Sequence, residues 1–306
     1  MKILVMGSGG VGGYFGGKLA KAGEDVTFVA RGEHLQAIQV KGLVVKSIDG
    51  DFHVNARAVE DPAEAGPTDL VLFSLKSYHT EAAAAQLKPC ITPETAVLTL
   101  QNGIGNAEKI GQILGADRVM AGAAYVVSKI DSPGIVRHTA AGRIVFGELD
   151  GADTPRGRAF AAACERAGFR GDFSLNVRKF LWEKFALICA QGMTASTRLG
   201  IGRIRSCPAS RQMLRMAFEE IVALAVASGA AMESGIVEKL MKISDALPPE
   251  TRTSLCHDLD QGRQTEVEAL QGTAVRLGEH YGVPTPMNFA IYAHVKPFDA
   301  PRSGDG

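Results

Sequence analysis

Nowhere in the 306-residue chain is there an uninterrupted apolar run long enough to cross a bilayer. The apolar residues after Met1-Lys2 are broken at Gly7, with no small-residue cleavage site beyond, so they read as a first strand rather than a secretion signal. Neither sign of charge predominates: 33 basic residues stand against 33 acidic ones, leaving no field that would gather nucleic acid or an anionic membrane. A disulfide framework is missing too. Cys90, Cys164, Cys189, Cys207 and Cys256 are odd in number, scattered and without a C-x-x-C pair, as expected of reduced thiols in a cytoplasmic protein. His34, His53, His79, His138, His280 and His294 have no partner at metal-ligand spacing, so no metal is expected. His257 beside Asp258 is the histidine best suited to acid-base work, although adjacent side chains usually diverge. No internal repeat is visible.

What is present has the composition of a globular protein with room for two domains, 46% apolar and 22% charged. Residues 1–31 organise the rest. KILVM gives a strand, Gly7-Ser8-Gly9-Gly10-Val11-Gly12 a turn, the run to Gly23 a helix, and residues 25–29 a second strand. In that order Gly7 permits a tight exit from the strand, Gly9 lets backbone amides approach a pyrophosphate, and Gly12 lets the helix lie against the sheet. The helix then turns its free N–H groups and positive dipole end to the anion. A glycine turn alone is common; the flanking strands and helix make this one specific. NAD-binding versions place Asp or Glu about 20 residues after the glycines, on the ribose 2′-OH. Here that place reads Ala30-Arg31-Gly32. No carboxylate is there to repel a 2′-phosphate, and the planar donor fork of Arg31 suits one, which points to NADP(H). The alternative is a solvated surface arginine.

Downstream, residues 34–40 suit a short helix, and 43–46 and 53–59 small strands around the Asp49-Gly50 turn. DLVLFSL (69–75) and AVLTL (96–100) are apolar runs of the kind buried on both faces of a parallel sheet. Lys76 and Gln101-Asn102-Gly103 stand at their carboxyl ends, where ligands sit in open α/β sheets. A helix is expected at 80–87, strands at 119–127, 135–138 and 143–148 with antiparallel pairing, a helix at 156–167 and a strand at 169–173. From residue 176 the period is helical, with helices at 177–198, 208–228, 234–246 and 264–281, and breaks at Pro248-Pro249 and at 283–286. The expected fold class is α/β: a Rossmann-type doubly wound sheet in residues 1–174, an all-helical domain in 175–299, and a flexible tail in 300–306. A small substrate would meet the nicotinamide in a cleft between the domains. Residues 213–228, apolar on more than one face, fit a core helix better than a homodimer contact.

A nicotinamide enzyme that reduces a carbonyl needs a proton donor at the developing alkoxide. Lys184, in FLWEKFALIC, follows the only tryptophan and interrupts a strongly apolar helix, where desolvation would lower its pKa toward neutrality. Spacing by itself favours snorkelling of the ammonium to the surface. Glu266 and Glu268 point to different faces of the expected 264–281 helix, one toward solvent and one toward the cleft. Ser254, in an expected loop after the two prolines, is either a donor to a carboxylate or an ordinary turn residue.

The turn from Gly7 to Gly12 with Arg31, Leu75-Lys76, Gln101-Asn102-Gly103-Ile104-Gly105, Trp182-Glu183-Lys184, Ser254 and Thr265-Glu266 together make the chain resemble the ketopantoate reductase family, the 2-dehydropantoate 2-reductases, over nearly its full length. The resemblance implies NADPH-dependent reduction of 2-dehydropantoate, a 2-oxo acid, to pantoate in pantothenate biosynthesis. It implies Lys184 as the general acid, Glu266 as the carboxylate that positions the substrate's hydroxyl, and Ser254 as a contact to the substrate's carboxylate. Asn102 and Lys76 would line the nicotinamide and substrate side, with Arg31 on the 2′-phosphate. It reverses the balance on Lys184. The chain departs from the family pattern at Ile188 and Gly192, where asparagines usually follow the lysine by one and two turns, and at Thr251, where a substrate-side asparagine is usual. Lost amides weaken discrimination for a polar substrate, which leaves a reductase of another, more apolar 2-oxo acid or ketone as an alternative. A non-catalytic NADP(H) sensor is a third reading, against which Lys184 and Glu266 both stand, since a sensor needs neither.

Overall fold

The continuous apolar runs become the middle of a ten-stranded sheet. The structure is a computed structural model that describes residues 1–299; the tail expected at 300–306 lies outside the described residues. The strands are β1 (Lys2–Met6), β2 (Asp25–Val29), β3 (Leu43–Ser47), β4 (Phe52–Val54), β5 (Arg57–Val59), β6 (Leu70–Phe73), β7 (Ala96–Thr99), β8 (Val119–Ser132), β9 (Ile135–Glu148) and β10 (Arg170–Phe173). In the stretch β5-β2-β1-β6-β7-β8 every neighbouring pair is parallel, a doubly wound order that reverses between β1 and β6. Leu4, Val5, Leu70, Val71, Leu72 and Phe73 are wholly buried, because central strands of such a sheet are covered on both faces. Around the sheet run α1 (Gly10–Lys21), α2 (Gly32–Lys41), α3 (Thr80–Gln86), α4 (Asn106–Leu114) and α5 (Pro155–Arg166).

Three expectations about this sheet are corrected. Residues 53–59 are not one strand: β4 pairs with β3, whereas β5 joins β2 at the opposite edge. The strands expected at 135–138 and 143–148 are a single strand, β9, in a long hairpin with β8. Ala141 (φ 61°) and Gly142 (φ 132°) interrupt its register, which breaks the alternation that would mark a continuous strand. Antiparallel pairing holds for β8 with β9, but β8 is parallel to β7, and β9 is parallel to both β3 and β10. Buried His138 secures the irregularity. Its Nε2 donates to Ala140 O and Ala141 O (3.1 and 2.9 Å), its Nδ1 accepts from Ser47 Oγ (2.8 Å), and Tyr14 stacks on the ring at 4.1 Å.

By packing, the chain divides into one unit of Met1–Gln101 and Gly105–Val177, and a second that joins Asn102–Ile104 to the described residues from Arg178 onward. The second is helical: α6 (Val177–Gln191), α7 (Met193–Thr197), α8 (Ile201–Ser206), α9 (Pro208–Ala227), α10 (Ile236–Ala246), α11 (Ser254–Asp260), α12 (Thr273–Tyr281) and α13 (Pro286–Val295). The helix expected at 177–198 is two, parted at Gly192, whose N–H is shared between Ile188 O and Cys189 O (3.1 and 3.0 Å). The helix expected at 264–281 starts late, with a π-turn at Glu268–Gly272 before α12. Hydrophobic period gives no sign of α8, α11 or α13. The last begins at Pro286, where a proline at the first helical position wastes no hydrogen bond. Leu214, Ala217, Phe218, Ile221 and Leu224 of α9 are fully buried, so α9 is a core helix. Its buried Glu220 accepts from Met287 N–H and Asn288 N–H (2.7 and 2.9 Å), placing a carboxylate at the positive end of α13. Among the described residues no helix is long and apolar enough to cross a membrane.

Candidate active site

Where the strand order reverses, the turns that follow β1 and β6 press against each other. Ser74 Oγ donates to Gly7 O at 2.8 Å. A Cβ on Gly7, whose φ is 102°, would stand 2.9 Å from Leu75 Cγ, and one on Gly12 would stand 2.1 Å from Gly7 O. Gly10 faces β8, with Ser128 O at 2.2 Å from where its Cβ would be. Gly9 is different: nothing lies within 4 Å of its Cβ direction, and its φ of −68° carries no strain. It precedes α1 without a side-chain cap, and the first turn of α1, where Val11 is partly exposed, has no acidic residue. The turn therefore offers an open cradle at an uncompensated positive helix end, the requirement for holding a phosphate group.

Ser8 belongs to the scaffold of that cradle. It is buried, and both its N–H and its hydroxyl reach Val29 O (3.2 and 3.1 Å). His34 supports it from the other side: Nε2 donates to Ser8 O at 2.9 Å and Nδ1 accepts from Gly134 N–H at 3.0 Å. Burial holds this imidazole below its ordinary pKa, consistent with a neutral ring carrying its proton on Nε2. The sequence has no local signal for a partnership between positions 34 and 134. Arg31 lies exposed beyond the end of β2, at the N-cap of α2. Burial and the nearby charge of Arg31 lower the pKa of His79, so the two basic groups share a neighbourhood. Lys76 precedes the short helical turn Ser77–His79 and is partly exposed. At the end of β7 it is Gln101 that makes the stitch, donating to Leu75 O and Thr80 Oγ1 (3.1 and 2.9 Å), while Asn102 groups with the helical unit.

In that helical unit, α6 buries Trp182, Glu183, Phe185, Ala186 and Cys189 and leaves Lys184, Ile188 and Gln191 partly exposed along one stripe. Lys184 thus retains access to solvent, yet enough protein surrounds its ammonium that desolvation lowers the pKa to about 8, against the opposing pull of Glu266's charge. Glu266 is buried in the irregular segment before the π-turn. Its neighbour Thr265 is fixed by the buried carboxylate of Asp299, whose Oδ1 accepts from both Thr265 N–H and Thr265 Oγ1 at 2.6 Å. Glu268 faces outward, as a separation of the two glutamates requires. Although desolvation pushes its pKa up, hydrogen bonds from Lys296, Tyr292 and Arg276 hold it at about 2. Truncating the buried acceptor, Asp299→Ala, is expected to cost the fold about 1–3 kcal/mol by orphaning two donors. Asp299→Asn, which keeps an acceptor oxygen, should cost less, and urea unfolding of the two variants would measure the difference.

Ser254 is not in a loop. It is the exposed first residue of α11, whose N-cap Thr253 accepts from Cys256 N–H at 3.4 Å. Helix α11 is tied to α7 through Thr194, which pairs with Thr253 Oγ1 (2.9 Å) and accepts from Thr253 N–H (3.1 Å). A seven-residue helix is too short for hydrophobic period to reveal, but the Thr253 cap was a readable signal. His257 is exposed on the same helix, and Arg263 Nε donates to Asp258 at 3.0 Å.

Known proteins with this arrangement can be named. A family profile described as ketopantoate reductase PanE/ApbA matches residues 3–151, and one described as ketopantoate reductase PanE/ApbA C terminal matches residues 176–299. The 2-dehydropantoate 2-reductase of Halobacterium salinarum is 32% identical, over 94% of this chain and 95% of its own. Among solved structures, the PanE/ApbA family ketopantoate reductase of Ralstonia eutropha JMP134 is 35% identical with a TM-score of 0.91, covering 98% of each chain. The 2-dehydropantoate 2-reductase of Geobacter metallireducens GS-15 is 32% identical with a TM-score of 0.92, covering 97% of this chain and 99% of that one.

Proposed function

Because the chain belongs to the ketopantoate reductase family of oxidoreductases, we propose that it uses NADPH to reduce the 2-oxo group of 2-dehydropantoate to pantoate, as pantothenate synthesis requires. The observation that carries this reading is the pair in the helical unit, an accessible lysine of pKa about 8 within the field of a buried glutamate. At neutral pH such an ammonium is mostly charged and still near enough to its pKa to give up its proton readily. NADPH, when bound, supplies a hydride to C2. Lys184 gives its proton to the carbonyl oxygen as the double bond to C2 becomes single, so the alcohol forms without an alkoxide released into water. Glu266 accepts a hydrogen bond from the substrate's hydroxyl, Ser254 donates to its carboxylate, and Asn102 and Lys76 flank the nicotinamide.

The open cradle at Gly9 and the first-turn amides of Gly10, Val11 and Gly12 suit a pyrophosphate. Arg31 suits a 2′-phosphate, with His79 beside it. Arg31→Ala should raise the Michaelis constant for NADPH about 10–100-fold, the worth of a charge-assisted contact, and leave that for NADH unchanged. Equal constants for the two nucleotides in the wild type would overturn the NADP assignment.

A second reading, reduction of a more apolar 2-oxo acid or ketone, draws on Ile188, which stands one turn after Lys184 on the same partly exposed stripe and has no polar group. NADPH oxidation measured with 2-dehydropantoate and with a panel of 2-oxo acids separates the two by kcat/KM. An enzyme that binds NADPH and turns over none of them is not a reductase of this class.

A further inference from the structure

Position 192 has no side chain, and the space in which one would begin is already filled. A Cβ there would stand 2.1 Å from Nε2 of Gln271 and 2.8 Å from the carbonyl oxygen of Cys189. Gln271 is fully buried and belongs to the π-turn Glu268–Gly272, just beyond Glu266. Its Nε2 donates to Cys189 O at 2.9 Å, where α6 gives way to α7. That carbonyl already accepts from Gly192 N–H at 3.0 Å, so the helix end is satisfied without the glutamine. The second amide atom, Oε1, is buried and has no partner among the described residues. An acceptor in that state costs its full desolvation, and natural cores keep few of them without a purpose. The π-turn is itself a rare conformation that recurs at functional sites. An amide that the helix end does not need, with half its bonding capacity unused, therefore joins the segment of Glu266 to the helix of Lys184.

We propose that Gln271 is a positioning residue of the catalytic pair. Its carboxamide takes the place of a side chain at position 192 and couples the end of the Lys184 helix to the turn behind Glu266. Gly192 is its complement, because any side chain at that position displaces the amide. The kinetic part of this inference rests on the reductase reading; the structural part does not.

Moving the amide from one side of the contact to the other is the test. Gly192→Asn drives a side chain into Gln271 and should lower both the unfolding midpoint and kcat, the latter about 100-fold, at the upper end of coupling seen between touching residues. Gln271→Ala should lower kcat about tenfold and raise KM for the 2-oxo acid, with KM for NADPH unchanged. In the double variant Gly192→Asn/Gln271→Ala an amide returns to the site, and both the midpoint and kcat should recover to within a few-fold of wild type. A midpoint no higher than that of Gly192→Asn alone overturns the exchange, whatever the turnover. A recovered midpoint with kcat still depressed reduces Gln271 to packing and overturns the positioning role. Gln271→Leu keeps the volume in apolar form and should fold as stably as wild type with kcat down; full kcat in that variant also overturns the proposal. If the wild type reduces no 2-oxo acid, the reductase reading fails, and the exchange of unfolding midpoints still decides whether the two positions share one amide.

Discussion

Replacing Lys184 with alanine is expected to lower kcat about 10²–10⁴-fold, the range for losing a general acid, while the dissociation constant for NADPH stays unchanged. The separation follows from where the groups lie: the glycine turn belongs to the sheet unit and Lys184 to the helical one. Without the ammonium the carbonyl oxygen must gather negative charge with no donor, a cost met only in the transition state, so kcat falls rather than affinity. The pH profile gives the same residue a second signature. An acid works only while protonated, so with a pKa of about 8 the wild-type rate should be level below pH 7 and fall tenfold per unit well above pH 8. Stability moves the other way. Between about 8 and the ordinary lysine value of 10.5 the unfolded chain still binds the proton that the folded chain has released, so this group's contribution to stability rises with pH. Activity lost and stability gained over one pH window would be hard to obtain from a surface lysine. An alkaline limb that persists in Lys184→Ala would remove the residue from the role.

Gly9→Val should raise the dissociation constant for NADPH by about 100-fold or more, as the loss of two charge-assisted hydrogen bonds to a phosphate would, and leave the unfolding midpoint where it is. No atom lies within 4 Å of the added Cβ, so the protein itself has nothing to rearrange. The bulk falls on the ligand. Gly12→Ala makes the contrast, because its Cβ meets Gly7 O at 2.1 Å and the fold must yield before any nucleotide arrives. Calorimetric titration with NADPH beside thermal unfolding distinguishes the two glycines. Undiminished affinity in Gly9→Val would mean that the turn does not hold the pyrophosphate.

What the sequence made readable was local. The succession β1, α1, β2 is spelled out by one apolar run, a glycine turn and a second run, and Lys184 declares itself as a charge set into an apolar helix. Pairings between distant positions left no such mark. His34 meets Gly134 across 100 residues and Thr265 meets Asp299 across 34, and neither partner carries a pattern that names the other. The edge to which β5 goes depends on competition among strands, and the unity of β9 was hidden by two residues with positive φ. Ser254 reads as a loop residue because α11 is shorter than two full periods of its own helix. Gly192 reads as a lost asparagine, and its contact with Gln271 has no mark in the sequence because only the packed core brings the two together.

The place of β3 beside β9 sets a timetable for synthesis. Ser47 lies opposite His138, 91 residues further along the chain, and at about 5–20 residues per second the ribosome needs roughly 5–20 s to deliver that partner. Throughout that interval Leu43, Val45, Phe52 and Val54, all buried in the finished sheet, wait on a hairpin with no neighbouring strand. The nascent chain thus emerges with an unpaired apolar edge while Ser128 and Gly134, which back the glycine turn, are also still to come, a window in which association with other nascent chains competes with folding.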